Sequence, residues 1–136
     1  MNRFEAFQER YGAALQTRVL GRALEVHETL DSTNTYLKGR LAKDGAPEGL
    51  AAVALMQTAG RGRLGRTWES ASGAGLYVSF VTRPLPGTLL PLVPVAAGIA
   101  VTQACRDVAG VEAGVKWPND VIVRDHKLSG ILCEGV

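Results

Sequence analysis

The segment GRGRLGRTW (residues 60–68), followed by ESASGAGLYVSF (69–80), decides which fold this chain adopts. Residues 60–65 match the G-x-G-x-x-G pattern of dinucleotide-binding loops, and residues 60–67 miss the P-loop pattern because Arg66 replaces its lysine. Both of those loops deliver phosphate to the N-terminus of the helix that follows them. Here the loop leads into a strand instead, so the sequence predicts neither of those folds.

Arginine side chains supply the charge of this loop. Arg61, Arg63 and Arg66 lie in a segment that contains no acidic residue, so we expect it to bind an anion. A kinase glycine-rich loop also joins two strands, but its V-A-I-K, H-R-D and D-F-G partner motifs are absent. Three glycines, at 60, 62 and 65, permit many backbone conformations. We therefore predict a lid that closes over an anion and is mobile when empty.

Length and composition predict one globular domain over residues 1–136. The sequence is 46% hydrophobic and 21% charged, which is ordinary for a folded domain and argues against long disorder. No apolar run reaches about 18 residues, and the first ten residues have no apolar core. We thus expect no membrane span, no signal peptide and a cytoplasmic location. The net charge of +2 does not by itself indicate a nucleic-acid partner.

Hydrophobic periodicity and turn residues predict an α+β fold in which a mixed or antiparallel sheet packs against a few helices. The apolar run at 50–57 is typical of a central strand. Helices are expected at 3–18 (within an N-terminal segment, 1–20), at 31–45, and from Pro91 or Pro94 to just before Gly110; further strands are expected at 23–30 and 75–84, with a hairpin at 121–134. The last of the three helices is expected to be largely buried.

Four motifs in one order resemble the biotin protein ligase family, the biotin–[acetyl-CoA-carboxylase] ligases. They are DSTN (31–34), QTAGRGRLGRTW (57–68), VKWPNDV (115–121) and KLSGIL (127–132). The resemblance begins near residue 22 and implies a catalytic domain like that of the class II aminoacyl-tRNA synthetases. It also implies an ATP-dependent enzyme that forms biotinyl-5′-adenylate and then transfers biotin to a lysine of a carrier domain.

The resemblance also implies partners. These are biotin, ATP with Mg²⁺, and the biotin carboxyl carrier protein domain of acetyl-CoA carboxylase; a homodimer is compatible with the family. Family members continue past the position of Val136, so the C-terminal part of the family domain is expected to be absent here. The residues before 23 leave no room for a helix-turn-helix, so we expect no DNA binding and no repressor role.

The reaction joins a carboxylate to the α-phosphorus of ATP, so it brings two anions together and requires cations. Arg61, Arg63 and Lys127 are the predicted catalytic residues. Lys127 begins a predicted strand directly after a tight turn, which is a rigid mount for a positive charge. An ordinary exposed turn lysine is the alternative interpretation of the same residue.

The remaining predicted site residues bind biotin or the nucleotide, and no metal ligand is predicted. Residues 32–34 have a second interpretation as helix caps. Gln57 is a polar residue at the end of a buried strand, and a ligand is the predicted partner of its amide. Trp68 is either packed in the core or lid, or lies beside the adenine. The full binding set is Ser32, Thr33, Asn34, Gln57, Gly60, Arg61, Gly62, Arg63, Trp68, Lys116, Asn119, Asp120, Lys127 and Gly130.

Two other functions remain open at this point. One is a lipoate-type acyl-adenylate ligase, which would share the fold but is not expected to carry GRGRLGR together with KWPND. The other is a non-catalytic module whose basic loop binds an anion or a nucleic acid. Few aromatic residues (6%) and a net charge of +2 argue against the nucleic-acid alternative.

Overall fold

The computed structural model describes residues 1–136 and contains three α-helices and six strands. The helices are Arg3–Ala14 (α1), Thr33–Asp44 (α2) and Val93–Ala109 (α3). The strands are Leu24–Leu30 (β1), Ala51–Gln57 (β2), Tyr77–Phe80 (β3), Gly114–Lys116 (β4), Asp120–Val123 (β5) and His126–Gly130 (β6). The chain forms two units: the first unit is Met1–Arg61 with Thr67–Arg83, and the second unit is Gly62–Arg66 with Pro84–Val136.

A mixed sheet in the order β1-β2-β3 forms the centre of the first unit. Strand β1 runs parallel to β2, and β2 runs antiparallel to β3. Parallel neighbours need a crossover connection, and α2 provides it. Ala51 and Ala52 on β2 are fully buried, so the prediction that this apolar run is a central strand is confirmed, as is the mixed α+β class.

The ends of α2 follow from the sequence. Ser32 is its N-cap, and Gly45 follows its last residue with a φ of 59°, a left-handed conformation that glycine adopts without strain. Leu37 on its inner face is 4% exposed and packs with Leu50, Ala52 and Val81. This apolar cluster holds α2 against the sheet and so fixes the position of the helix start.

A separate antiparallel sheet, in the order β4-β5-β6, lies in the second unit. The predicted hairpin is confirmed as β5–β6. Its turn residues Arg124 and Asp125 have φ angles of 49° and 66°, the pair of positive angles that a two-residue type I′ turn requires. Helix α3 lies on this sheet through Gly98, where an added Cβ would lie 3.4 Å from the methyl groups of Val115.

The N-terminal helix is shorter than predicted. It ends at Ala14, because Leu15 has extended backbone angles, a φ of −69° and a ψ of 128°. Asn2 caps its start and forms a capping box with Glu5. Beyond the helix the chain passes through bends and turns at residues 18–23, and the hydroxyl of Tyr11 donates to the carbonyl of Gly21 at 2.9 Å. This contact ties the helix to the segment that enters β1.

The prediction that α3 is largely buried is wrong. Only Gly98 on this helix is buried, while Ile99 and Val108 are 48% and 87% exposed. By length and composition alone, the helical segment Leu90–Ala109 is long and apolar enough to cross a membrane. The expectation of no membrane span is therefore not supported by the composition of this helix.

Candidate active site

The first predicted motif, residues 31–34, forms the turn from β1 into α2. Ser32 Oγ accepts a hydrogen bond from the backbone N–H of Thr35 at 3.3 Å, so the capping interpretation holds for this residue. Thr33 is 5% exposed, and its backbone N–H donates to Gln57 Oε1 at 2.8 Å. The start of α2 is therefore bonded directly to the end of β2.

The amide of Gln57 is satisfied by the protein. Its oxygen accepts from Thr33, and its Nε2 donates to Ser70 Oγ at 2.9 Å. The prediction that a ligand is needed to satisfy this amide is corrected, because the start of α2 and the loop at Ser70 supply the partners instead. That Gln57 also contacts biotin stays a prediction.

Two buried serines complete this network and were not predicted from the sequence. Ser79 on β3 is 8% exposed and lies 2.8 Å from Thr33 Oγ1, and its own hydroxyl donates to Asn34 Oδ1. Ser70 is 4% exposed and donates to the carbonyl of Trp68 at 3.0 Å. The alternation in β3 places Ser79 on the buried face with Tyr77, which is the pattern that could have identified it.

The hydrogen bonds of the Thr33 hydroxyl decide whether it can donate to a ligand or only accept from one. The hydroxyl has one proton, and two acceptors lie within reach: Ser79 Oγ at 2.8 Å and Gln57 Oε1 at 3.2 Å. Because Ser79 gives its own proton to Asn34, the Thr33 proton is committed to one of these two oxygens. The Thr33 hydroxyl therefore meets a ligand as an acceptor, through its lone pairs.

The glycine-rich loop continues the pairing of β1 with β2 before it leaves the sheet. The backbone N–H groups of Thr58 and Ala59 donate to the carbonyls of Leu30 and Asp31 at 2.9 and 2.8 Å. Gly60 is buried, and an added Cβ there would meet the carbonyl of Trp68 and, at 2.6 Å, the hydroxyl of Ser70. Only glycine fits this position. The loop then returns to β3, so no helix follows it, as the sequence predicts.

Two of the loop's arginines have identified partners within their own units. In the first unit, Arg61 Nη2 donates to Thr35 Oγ1 at 3.3 Å. In the second unit, Arg63 Nη1 donates to Asn119 Oδ1 at 3.0 Å. Trp68 is half-buried, and its backbone N–H donates to the carbonyl of Gly60 at 2.9 Å; its predicted place beside adenine stays a prediction.

The KWPND segment connects β4 to β5 in the second unit. Lys116 is the last residue of β4 and pairs with Asp120, and the Trp117–Pro118 peptide bond between them is cis. Asn119 is anchored twice, since its carbonyl accepts from the N–H of Ile131 and its Nδ2 donates to the carbonyl of Ile131, each at 2.9 Å. Its Oδ1 is thereby aimed at the partner described above, Arg63.

Lys127 is the second residue of β6, one position later than predicted, and its Nζ lies 3.0 Å from Asp120 Oδ1. It stands opposite Ile122, so Asp120 is its diagonal neighbour across the hairpin. A second lysine, Lys116, is the register partner of the same Asp120 on β4. Asp120 is thus the ion-pair partner of Lys127, and Gly130 is the register partner of Asp120 on β6.

The predicted site residues form two groups, one in each unit. The first group surrounds the start of α2 and the end of β2, and the second group surrounds the β4–β5 turn, the β5–β6 hairpin and the loop tip. The first contains Ser32, Thr33, Asn34, Gln57, Gly60, Arg61 and Trp68, and the second contains Gly62, Arg63, Lys116, Asn119, Asp120, Lys127 and Gly130.

A cavity of about 250 Å³ runs along α2 in the first unit, and none of the predicted site residues lines it; its lining is Asp31, Thr35, Tyr36, Gly39, Arg40 and Lys43. The charge of Arg40 is balanced by Glu25 and Asp44. Burial lowers the pKa of His27, which also lies outside the predicted set. Lys43 and Asp31 are the other charged residues of the cavity lining.

Comparison with known proteins identifies the class to which this fold and these residues belong. Residues 26–136 match the Biotin/lipoate A/B protein ligase family, and the chain belongs to that family. The resemblance predicted from the four motifs is confirmed. Helix α3 lies inside the matched region.

Individual relatives are named as biotin ligases. The chain is 41% identical over 121 residues to the bifunctional ligase/repressor BirA of Bacillus subtilis, covering 88% of this chain and 37% of that protein. It is 39% identical over 118 residues to the biotin–[acetyl-CoA-carboxylase] ligase of Mycobacterium tuberculosis, covering 83% of this chain and 44% of that protein. The chain thus spans less than half the length of these two relatives.

Solved structures confirm the fold. The biotin protein ligase of Aquifex aeolicus, in complex with biotin and ATP, superposes with a TM-score of 0.73 at 39% identity, over 83% of this chain and 47% of that one. The enzyme of Leishmania major, in complex with biotinyl-5-AMP, superposes with a TM-score of 0.75 at 31% identity, over 85% of this chain and 53% of that one. The α+β fold predicted here is therefore that of a biotin protein ligase catalytic domain.

Proposed function

We propose that this chain catalyses the formation of biotinyl-5′-adenylate from biotin and ATP, and the transfer of biotin to a lysine of a biotin carboxyl carrier domain. The observation that carries the proposal is its likeness to solved enzymes that hold biotin with ATP and biotinyl-5-AMP. Homology at 31–39% identity extends over the segments that contain the predicted motifs.

The proposed chemistry has two steps. A biotin carboxylate oxygen forms a bond to the α-phosphorus of ATP, and the bond from that phosphorus to pyrophosphate breaks. The amine of the carrier lysine then attacks the carbonyl carbon of the mixed anhydride, loses a proton, and AMP leaves. Negative charge accumulates in the first step, so cations held in place before the reaction lower its barrier.

We assign Arg61 and Lys127 to that charge. Arginine presents a planar fork that matches a carboxylate, which suits Arg61 to the biotin carboxylate, whereas lysine is a compact point charge suited to a phosphate oxygen. Lys127 is paired with Asp120 at 3.0 Å, so the phosphate has to replace Asp120 as its partner. Arg63 is assigned to retaining the adenylate.

The buried network at the start of α2 suits the ring system of biotin. Its ureido group carries two N–H donors beside one carbonyl acceptor. Thr33 is held by Gln57 and Ser79 so that its hydroxyl can only accept from a ligand, which matches one of those N–H groups. Ser32 and Asn34 belong to the same turn and supply further polar groups.

Mg²⁺ is proposed to enter with ATP. In residues 1–136 no group of three or more His, Cys, Asp or Glu side chains converges where it could hold a metal ion. Mg²⁺ is usually bound through one or two carboxylates together with substrate phosphates, and Asp120 is the carboxylate of the predicted set. The carrier domain, a homodimer, the lack of DNA binding and a cytoplasmic location remain proposals of the same kind.

Calorimetric titration of the chain with biotin, with lipoate and with an RNA oligomer tests the proposed ligand. We expect saturable binding of biotin alone, and a melting temperature that rises with biotin concentration, because a ligand that binds only the native state stabilises it. Binding of lipoate instead would identify a lipoate-type ligase, and binding of RNA instead would identify a nucleic-acid module. Either result would overturn the proposal.

Removing the hydroxyl of Thr33 is expected to weaken both biotin binding and the fold. Thr33→Val keeps the shape of the side chain but removes the one hydroxyl proton that lies within reach of Ser79 and Gln57, at a cost of about 1–3 kcal/mol in the free energy of unfolding. Loss of the ligand hydrogen bond should raise the Kd for biotin by roughly fivefold to a hundredfold. Denaturant unfolding and calorimetry measure the two effects.

Gln57→Ala should act in the same direction, since it removes the partner of the Thr33 N–H. Thr29→Val, which changes an exposed threonine on β1, is the matched control and should leave both quantities unchanged. Lowered stability with the parent's biotin affinity would show that Thr33 and Gln57 serve the fold alone.

A further inference from the structure

Arg61 is held against the first turn of α2. Its Nη2 donates to the hydroxyl of Thr35 at 3.3 Å. Thr35 is exposed, and its backbone N–H is fixed by the cap at Ser32. The sequence offers no reason to single out Thr35, which has the appearance of an ordinary surface residue on a helix.

The backbone of residues 58–61 is held firmly, which fixes the position of the Arg61 Cα atom. Thr58 and Ala59 are hydrogen-bonded to the end of β1, Gly60 is enclosed so closely that a Cβ does not fit, and Arg61 itself forms a β-bridge with Thr67. The main conformational freedom of Arg61 therefore lies in its long side chain. Arginine has high rotamer entropy, which must be lost when it binds a ligand.

We propose that Thr35 is a positioning residue, which orients the guanidinium of Arg61 before biotin binds; this rests on the proposed function. A hydroxyl is a neutral acceptor, so it can orient the guanidinium without neutralising it. A carboxylate in its place would compete with the carboxylate of biotin.

The test compares Thr35→Val, which removes the hydroxyl at constant shape, with Thr35→Ser, which retains it. We expect Thr35→Val to raise the Kd and KM for biotin about threefold to tenfold, as expected when one rotamer-rich side chain is no longer ordered in advance. The kcat for pyrophosphate release at saturating biotin should stay that of the parent, and Thr35→Ser should restore the parent's KM. In an Arg61→Ala background, Thr35→Val should have no further effect on biotin affinity.

A second measurement is independent of biotin. NMR relaxation of the Arg61 side-chain N–H groups, in the chain without ligand, should show faster motion in Thr35→Val than in the parent and in Thr35→Ser. Unchanged relaxation would overturn the positioning role, and so would a parent-like KM in Thr35→Val. If the parent chain itself binds no biotin, the proposed function fails, and the relaxation measurement alone still decides whether Thr35 orients Arg61.

Discussion

Replacing Lys127 by alanine is expected to slow biotin-dependent release of pyrophosphate from ATP by about a hundredfold or more, the usual effect of removing one preorganised group that stabilises transition-state charge. Lys116 lies on β4, two strands away from β6, and is the register partner of Asp120, which forms the ion pair with Lys127. Lys116 stands at the end of β4, so it is not expected to replace the charge that the hairpin holds on β6.

The loss should not come from unfolding. The Lys127 side chain is 46% exposed and that of Asp120 is 24% exposed, so their ion pair contributes less than about 1 kcal/mol to stability. Thermal melting of Lys127→Ala should therefore follow that of the parent closely.

The matched control is Arg124→Asn, which removes a positive charge from the turn of the same hairpin. Asparagine tolerates the positive φ of 49° at this position, so the turn should be preserved. Parent-like pyrophosphate release by Arg124→Asn together with a large loss in Lys127→Ala would assign the effect to Lys127. Near-parent release by a folded Lys127→Ala would remove Lys127 from the mechanism.

Local sequence signals predicted the elements that depend on neighbours along the chain. The cap at Ser32, the stop at Gly45 and the β5–β6 turn involve residues within a few positions of one another, so turn and cap chemistry is visible in the sequence. The pairing of Lys127 with Asp120 was not predicted, because the sequence placed the turn at Asp125 and His126, one residue later than the Arg124–Asp125 turn that sets the register.

The interactions that were missed join residues distant in sequence. Thr33 meets Ser79 across 46 positions, and Arg63 meets Asn119 across 56. Gln57 was correctly recognised as a polar residue in need of a partner, but Ser70 supplies that partner from the far side of the loop. Helix α3 shows the same limit, because apolar composition predicts what a helix can bury and not what lies against it.

The prediction that residues 60–68 form a lid over an anion is best tested at Arg63. This residue lies at the loop tip in the second unit, where the N–H of Gly62 donates to the carbonyl of Arg66 at 2.7 Å and the N–H of Arg66 donates to the carbonyl of Arg63 at 3.1 Å. Its guanidinium rests on Asn119 Oδ1 at 3.0 Å, a neutral acceptor. An adenylate phosphate is a stronger partner for the same guanidinium, because a charge-assisted bond exceeds a neutral one.

Arg63→Gly is therefore expected to release biotinyl-5′-adenylate into solution about tenfold to a hundredfold faster than the parent, the effect of losing one hydrogen bond to a charged group. The free mixed anhydride then reacts with lysines at random, so biotin should appear on a bystander protein such as albumin. Leu64→Gly is the matched control, since it adds the same backbone freedom next door without removing a charge. Leu64 is 86% exposed with a φ of 58°, so glycine there relieves a strained angle and should leave release slow.

Amide hydrogen exchange across residues 60–68 tests the ordering of the lid directly. The amides of Gly62, Arg66 and Trp68 already have backbone partners, so their exchange in the empty chain reports how often those bonds open. We expect an adenylate analogue to slow exchange across the whole loop in the parent and in Leu64→Gly, because new bonds to the ligand offset the entropy of fixing the loop. In Arg63→Gly the analogue should protect the loop far less. Strong and equal protection with and without the analogue in the parent would show a rigid loop, and the adenylate would then have to be retained without a moving lid.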